Sequence, residues 1–348
     1  MKPFPHPGRK LQTTDARRSQ FRHVTYGTYG LPILLAIAHA AIVPCAWAQQ
    51  AWPTSPLRIV VPYPPGASND VLGRHLAQKI ASALGQNIVV ENRAGASGAI
   101  GADFVAKSAA NGYTLMFTSS SFATNAAAGI KLPFDPEKAF APVGMFGISP
   151  ILLVVHPSLP VKDTQALIAL ARAKPGQINF ASSGAGSINH LSGEAFKNAA
   201  RIDIVHVPYK GMVPALTDLV AGQTQLVFTT FSSMGPLAQS GRVRLMAVAS
   251  ARRSPFAPNV PTVAESGLPG FESEIWWGLF APANTPRPIV ERLNREMRTA
   301  LQTADIREKL AREGAETTLT TADEFSNLLH TSIAKWRKVM REGSIKLE

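Results

Sequence analysis

An α/β fold in two domains is predicted by three features of this 348-residue chain. Apolar runs of strand length alternate with helical patterns at intervals of roughly 20 to 30 residues. Several of those runs are apolar on both faces, as parallel strands covered by helices must be. Two proline-marked connections, at Pro157 and Pro160 and across 255–270 (PFAPNVPTVAESGLPG), place the crossings between domains near 150 and 270. Neither a low-complexity linker nor an internal repeat is apparent between the halves.

The first element is an address. Lys2, Arg9, Lys10, Arg17, Arg18 and Arg22 face a single acid, Asp15, and precede the apolar run Leu31 to Val43 and then Ala46-Trp47-Ala48. A basic segment, a short apolar core and a small-x-small site predict a secretory signal peptide over 1–48, cleaved after Ala48. The run is shorter than the ~20 residues that span a bilayer, which disfavours the alternative of a signal anchor. Pro44 stands where a lipobox needs a small residue, against lipidation of Cys45. Gln20 stands where a twin-arginine signal needs an apolar one, which favours general secretion.

Strands are then expected at Arg58–Tyr63, Asn87–Glu91, Tyr113–Thr118, Ile151–Val155, Ile178–Ser182, Ile204–Val207, Gln225–Thr230 and Arg244–Ala249. Helices fall between them near 69–84, 98–109, 163–173, 187–199 and 213–221. From Thr285 the character turns helical. Pro286 and Pro288 suit a first turn, and Ile289, Leu293, Met297 and Leu301 recur every four residues. A last helix near 321–342 opens with Thr321 and Glu324, a capping-box pair, and carries one apolar stripe from Phe325 to Val339 that docks onto the body of the protein.

Composition excludes several functions. One cysteine, Cys45, rules out a disulfide scaffold and a cysteine-rich zinc site. The formal charge of +12 invites nucleic acid, but six of the 35 basic and one of the 23 acidic residues lie in the address. That leaves +7 on the remaining residues, with no run of five like charges, so no nucleic-acid partner is expected. There is no H-E-x-x-H and no phosphate-loop lysine motif, and the five histidines outside the address lack ligand spacing. Asn189 breaks the dinucleotide pattern that Gly184 and Gly186 begin. Gly66-Ala67-Ser68 and Gly95-Ala96-Ser97 begin like nucleophile elbows but end in Asp70 and Ala99 instead of glycine. No enzyme, metal or cofactor is expected.

What recurs is a small-residue loop between a strand and a helix. Tyr63-Pro64-Pro65-Gly66-Ala67-Ser68-Asn69-Asp70 follows the first strand; Ser182-Ser183-Gly184-Ala185-Gly186-Ser187 follows the one at 178–182. A helix start offers unpaired N–H groups and the positive end of its dipole, and small residues admit a ligand to the backbone. Ser, Asn and Asp at such places ordinarily just cap helices. Two loops, one per domain, facing across a cleft would make a two-jawed clamp for a carboxylate or phosphate.

Seven ordered stretches carry a resemblance: PYPPGASND (62–70), VVENRAGASGAIGADFVAKS (89–108), NGYTL (111–115), PGQINFASSGAGSINHLSGE (175–194), HVPYKGMVPALTDLVAGQ (206–223), VPTVAESGLPGFE (260–272) and APANTP (281–286). Across Trp52–Gly343 the chain is similar to the Bug-type periplasmic solute receptors of tripartite tricarboxylate transporters. The resemblance implies a two-lobed periplasmic binding protein fold, type II-like, each lobe a mostly parallel sheet flanked by helices, around a hinged cleft. Residues 49–150 with 270–348 would form lobe I and 151–269 lobe II. The loops matching 63–70 and 182–187 would grip a ligand carboxylate through backbone amides and water, which bridges nearly as well as direct contact. Ala67 departs from the family's usual second glycine, which bears on ligand range. Asn111 replaces the usual Asp, a turn detail.

The expected ligand-binding residues are Tyr63, Gly66, Ala67, Ser68, Asn69, Asp70, Thr118, Ser119, Ser182, Ser183, Gly184, Ser187, Tyr209 and Lys210. Asp70 would repel a carboxylate unless it caps its helix or meets a ligand amine. Thr118–Ser121 (TSSS) offers hydroxyl donors, against a purely structural reading. Tyr209 and Lys210 follow a strand end, where turn packing is the alternative to ligand contact. Trp276 and Trp277 are read as hinge or core, His190 as structural, and Asn92-Arg93 with Gly95, Gly98 and Gly101 as a tight connection. The reading is then a monomeric periplasmic receptor that delivers a small carboxylate to inner-membrane transporter subunits. The alternatives are a receptor reporting to a membrane sensor and, third, a secreted serine hydrolase using Ser68 or Ser183.

Overall fold

The computed structural model describes residues 52–129, 132–312, 314–342 and 345, all within one compact unit, Gln50–Glu348. The signal segment, Cys45 and the cleavage position lie outside the described residues. Strands β1 (Leu57–Val61), β2 (Ile88–Asn92), β3 (Thr114–Ser119), β4 (Phe140–Pro150) and, from far along the chain, β10 (Glu274–Pro282) form the first sheet in the order β2-β1-β3-β10-β4. Strands β5 (Leu152–Val155), β6 (Asn179–Ser182), β7 (Val205–Pro208), β8 (Leu226–Thr229) and β9 (Arg244–Val248) form the second, in the order β7-β6-β8-β5-β9. In the first sheet β10 alone runs against its neighbours; in the second only β5 does.

The two orders superimpose strand for strand. The helices follow suit: α1 (Ser68–Leu84), α2 (Ala99–Ala106) and α3 (Ser121–Ala127) follow β1, β2 and β3. In the second half α4 (Thr164–Ala173) leads in, and α5 (Ile188–Ala200), α6 (Met212–Val220) and α7 (Phe231–Gln239) follow β6, β7 and β8. The architecture is therefore doubled although no repeat stands out in the residues. Strand order depends on the spacing of apolar runs, which many sequences satisfy.

The chain leaves the first sheet and enters the second through Ile151 alone. There the Ile151 N–H donates to the Ser273 carbonyl (3.1 Å), Ala249 N–H to Ile151 O (2.7 Å) and Ser273 N–H to Ala249 O (2.6 Å). Outgoing and returning segments are thus tied at one point between the sheets, which localises any bending to a few residues. In β5, Leu153 and Val155 join the larger apolar core while Leu152 and Val154 join a smaller one beneath α6. A strand covered on both faces is apolar throughout, as its sequence is.

Residues 287–342 form α8 (Arg287–Leu301), α9 (Ala304–Arg312) and α10 (Ala322–Glu342). The capping box is present: Thr321 N–H donates to Glu324 Oε2 (2.7 Å) and Glu324 N–H to Thr321 Oγ1 (3.1 Å). Phe325, Leu329, Ile333 and Trp336 are buried along the α10 stripe. Two strands were not anticipated, β4 and β10. β4 contains two prolines and two glycines, an unpromising composition, but it lies at the sheet edge, where proline is tolerated. Its Gly144 lies so close to α8 that a Cβ would sit 2.3 Å from Met297 Cε, so the glycine answers to packing. Trp276 and Trp277 belong to β10 and are buried in the core.

Candidate functional site

Because β1, β3, β6 and β8 point the same way within their sheets and each is followed by a helix, four strand-to-helix turns converge between the halves. This is where open α/β sheets bind ligands. In the first turn Gly66 takes φ +89°, a conformation that favours glycine. Ala67 sits at the α1 N-cap with φ −97° and ψ 174°, extended backbone that any residue adopts, so its methyl is unstrained. It carries no acceptor, and no side chain caps the helix. Ser68 and Asn69 are buried at that start, and Asn69 Oδ1 has no hydrogen-bond partner.

Asp70 turns away from this opening. Its carboxylate accepts from Gly66 N–H, Arg74 Nε and Asn92 Nδ2, each at 3.0 Å, and Asn92 also donates to Tyr63 O (3.1 Å). Burial acts to raise the carboxyl pKa, but Arg74, the Gly66 amide and Asn92 together hold it below its ordinary value. The residue braces the loop from beneath.

The second turn is held differently. Gly184 and Gly186 take φ +125° and +77°. Ser187 caps α5, accepting from His190 N–H (3.2 Å) and donating to Gly184 O (2.7 Å). Ser182 Oγ accepts from Gly184 N–H (3.1 Å) and lies 2.6 Å from His206 Nε2. Gly186 N–H donates to His190 Nδ1 (3.1 Å), which makes that nitrogen an acceptor and leaves the ring proton on Nε2, 3.9 Å from Glu194. The two imidazoles stack, centroids 3.7 Å apart and 14° from parallel. Burial, then His206 and Lys197, push His190 down to about 3; burial and Lys197 push His206 down to about 4. Both rings are neutral at neutral pH, and a neutral Nδ1 is what the Gly186 amide requires.

The third turn supplies hydroxyls. Thr118, Ser119 and Ser120 are buried, and their side-chain oxygens have no hydrogen-bond partner. Tyr63 points among them: burial raises its phenol pKa, and the hydroxyls of Thr118, Ser121 and Ser119 bring it part of the way back without completing well-aligned bonds. Thr229, at the matching end of β8, is likewise buried and unpartnered. Buried polar atoms of this kind are rare in folded proteins and call for a partner.

The halves meet across the turns. Ser97 Oγ donates to Ala185 O (3.0 Å), and Ile188 N–H, in the first turn of α5, donates to Ser121 Oγ (3.2 Å). Between them lies a cavity of about 30 Å³, bordered by Tyr63, Ala67, Ser68, Asn69, Ser119 and Ser183 together with Ser121, Asn189, Gly211, Met212, Val213, Thr230, Ser233 and Ile275. A mouth of about 630 Å³ is lined by Tyr63, Ser183, Gly184, Tyr209 and Lys210. A chamber of about 750 Å³ reaches Gly66. Of the expected residues, Asp70, Thr118, Ser182 and Ser187 border none of these three spaces and support those that do. Tyr209 donates its phenol to Asp218 (2.7 Å); burial first, and then that carboxylate, push its pKa up to about 12.

Several lining residues escaped the sequence reading, namely Ser97, Asn189, Gly211 and the 230–233 turn, while Ser121 was read only as one hydroxyl of TSSS. The last two had a signal. FTSSS (117–121) and FTTFSS (228–233) both follow a strand with hydroxyls and occupy equivalent positions.

Residues 72–345 match the family of tripartite tricarboxylate transporter family receptors. Protein BugT of Bordetella pertussis is 39% identical over 301 residues, 85% of this chain and 92% of that protein. Among solved structures, R. palustris Rpa4515 with adipate has a TM-score of 0.82 at 36% identity, covering 85% of this chain and 99% of that one. MatC (Rpa3494) from Rhodopseudomonas palustris with bound malate has a TM-score of 0.79 at 32% identity, covering 83% and 99%. The doubled sheets, the tie at Ile151 and the opposed turns are thus the two-lobed fold of periplasmic binding proteins, in a family of receptors and not of enzymes. The chain belongs to the tripartite tricarboxylate transporter receptor family.

Proposed function

We propose that this receptor is exported to the periplasm and, as a monomer, closes on a small carboxylated solute and hands it to inner-membrane transporter subunits. Residues 49–150 with 270–348 act as one lobe and 151–269 as the other, bending about Ile151, Ala249 and Ser273. The observation that carries this reading is the convergence of equivalent strand-to-helix turns on one cavity. Beside it an uncapped helix start and the buried, unpartnered hydroxyl of Ser119 offer donors to an anion. No bond is made or broken; Ser183, one of the two serines a hydrolase would use, donates its hydroxyl to Asn189 Oδ1 (2.7 Å), an amide that is no general base. The adipate and malate held by similar proteins support the carboxylate class. Among the described residues no helix is long and apolar enough to cross a membrane.

The test is calorimetric titration of the purified, dialysed protein with adipate, malate and a panel of di- and tricarboxylates. At least one is expected to bind and to raise the melting temperature. A protein indifferent to every carboxylate but stabilised by a sugar or a cation would overturn the proposal.

A further inference from the structure

The chamber of about 750 Å³ differs in kind from the polar cavity beside it. Its walls come from both halves: Gly66 and Val71 on one side, and Val213, Leu216, Val220 and Phe231 on the other. Val213 and Ser233 line the chamber and the inner cavity alike, so the two spaces share a wall. Two arginines border it, Arg242 before β9 and Arg312 at the end of α9, and no acidic residue does. Arg312 is paired with Glu308. Arg242 has no ion-pair partner among the described residues. Its volume lies within the range of about 300–1,000 Å³ usual for small-molecule sites, and its make-up, apolar walls with few polar anchors, is also usual.

We propose that this chamber is the selective half of the site: it takes the hydrocarbon body of the ligand, and Arg242, with Arg312 beside it, holds a second anionic group at the far end. The ligand class is an elongated diacid with an apolar spacer, aliphatic or aromatic, and not a short hydroxylated acid. Guanidinium is suited to this end because its planar fork meets a carboxylate with two parallel bonds. A spacer lying along Val71, Leu216 and Phe231 leaves water as it binds, and each further methylene tightens binding about three- to fourfold until the chamber is filled. The chamber borders both halves, so a ligand occupying it favours the closed form. This inference rests on the carboxylate reading given above.

The experiment titrates the wild type, Arg242→Gln and Thr217→Trp with succinate, adipate, suberate, sebacate and octanoate. Thr217 is exposed on α6 and borders the chamber, so a tryptophan there occupies it without entering the inner cavity. Affinity is expected to rise from succinate to suberate. Arg242→Gln is expected to weaken suberate about tenfold while leaving succinate and octanoate unchanged. Thr217→Trp is expected to weaken suberate and sebacate and to spare succinate. If diacids bind with an affinity indifferent to length and to both substitutions, the chamber proposal falls and the carboxylate reading stands. If none of the acids binds, both fall.

Discussion

Lowering the pH from 7.5 to 5.0 should destabilise this protein through one pair of rings. His190 and His206 are held down to about 3 and about 4, against an ordinary histidine value near 6.5. The unfolded chain therefore binds more protons than the folded one at every pH between those limits. Stability is complete above about 6.5 and falls as the pH drops towards the folded values. At pH 5, some 1.5 units below the unfolded value, a neutral buried ring forfeits about 2 kcal/mol. His206 is the less buried of the two and forfeits somewhat less. Together they approach 4 kcal/mol, a large fraction of a typical stability of about 5–15 kcal/mol.

The substitution that isolates the effect is His206→Phe, which keeps a ring stacked between Phe180 and His190 and removes one titrating group. Urea unfolding of both proteins at pH 7.5 and 5.0 gives the comparison. Carboxylates elsewhere contribute equally to both and cancel in the difference. The wild type is expected to lose about 1–2 kcal/mol more than the variant over this interval. Equal losses would refute the picture of two neutral imidazoles buried beneath the second turn.

Other consequences follow from the same geometry. Asp70→Asn removes a negative charge near the inner cavity, yet is expected to weaken ligand binding and cost about 1–3 kcal/mol, because the carboxylate orders Gly66, Arg74 and Asn92; tighter binding in titration would place Asp70 against the ligand instead. The folded Asp70 carboxyl lies below its ordinary value, so its contribution is present above about pH 4 and is lost as the pH falls through the folded value. Ser97→Ala and Ser121→Ala each remove one bond between the halves, about 1 kcal/mol apiece, and should shift the protein towards open forms, seen as a larger radius of gyration in X-ray scattering. Gly211→Ala places a methyl 3.0 Å from Pro64 across the cleft at φ +122°, and should slow ligand capture in stopped-flow more than it lowers the melting temperature.

What could be read beforehand, and what could not, divides along physical lines. Among the eight strands that were legible, β5 and β8 are buried throughout, which leaves little room for polar residues. The edge strands β2 and β7 are partly exposed and were legible from their β-branched residues. β4 and β10 were not, because their character is set by contact with α8 and α10: Gly278 stands in β10 where a Cβ would lie 2.1 Å from Phe325. The two glycine-bearing turns were legible as strand-to-helix connections because Gly66, Gly184 and Gly186 mark the positive-φ positions of tight turns. Which of their side chains face inwards was not. Asp70 and Ser68 are two residues apart at the same helix start, yet one braces Asn92, 22 residues on, while the other borders the cavity.

The deepest layer depends on the far half of the molecule. In isolation Ser121 is one hydroxyl of TSSS, no better a candidate than its neighbours. It acquires a function only because Ile188, the first residue of α5 in the opposite half, directs its N–H at it. A helix start needs acceptors for its first amides, and here one comes from the facing lobe. Closure thereby satisfies part of what a bound anion would satisfy. The closed form consequently needs only a few further contacts from a ligand to predominate, and two lobes poised in this way respond to modest differential affinity. Replacing Ser121 by alanine, which abolishes the acceptor with little change in volume, should therefore raise the ligand concentration needed for closure by about fivefold at ~1 kcal/mol. Titration followed by tryptophan fluorescence would measure it. An unchanged midpoint would mean that Ile188 N–H contributes nothing to the balance between open and closed forms.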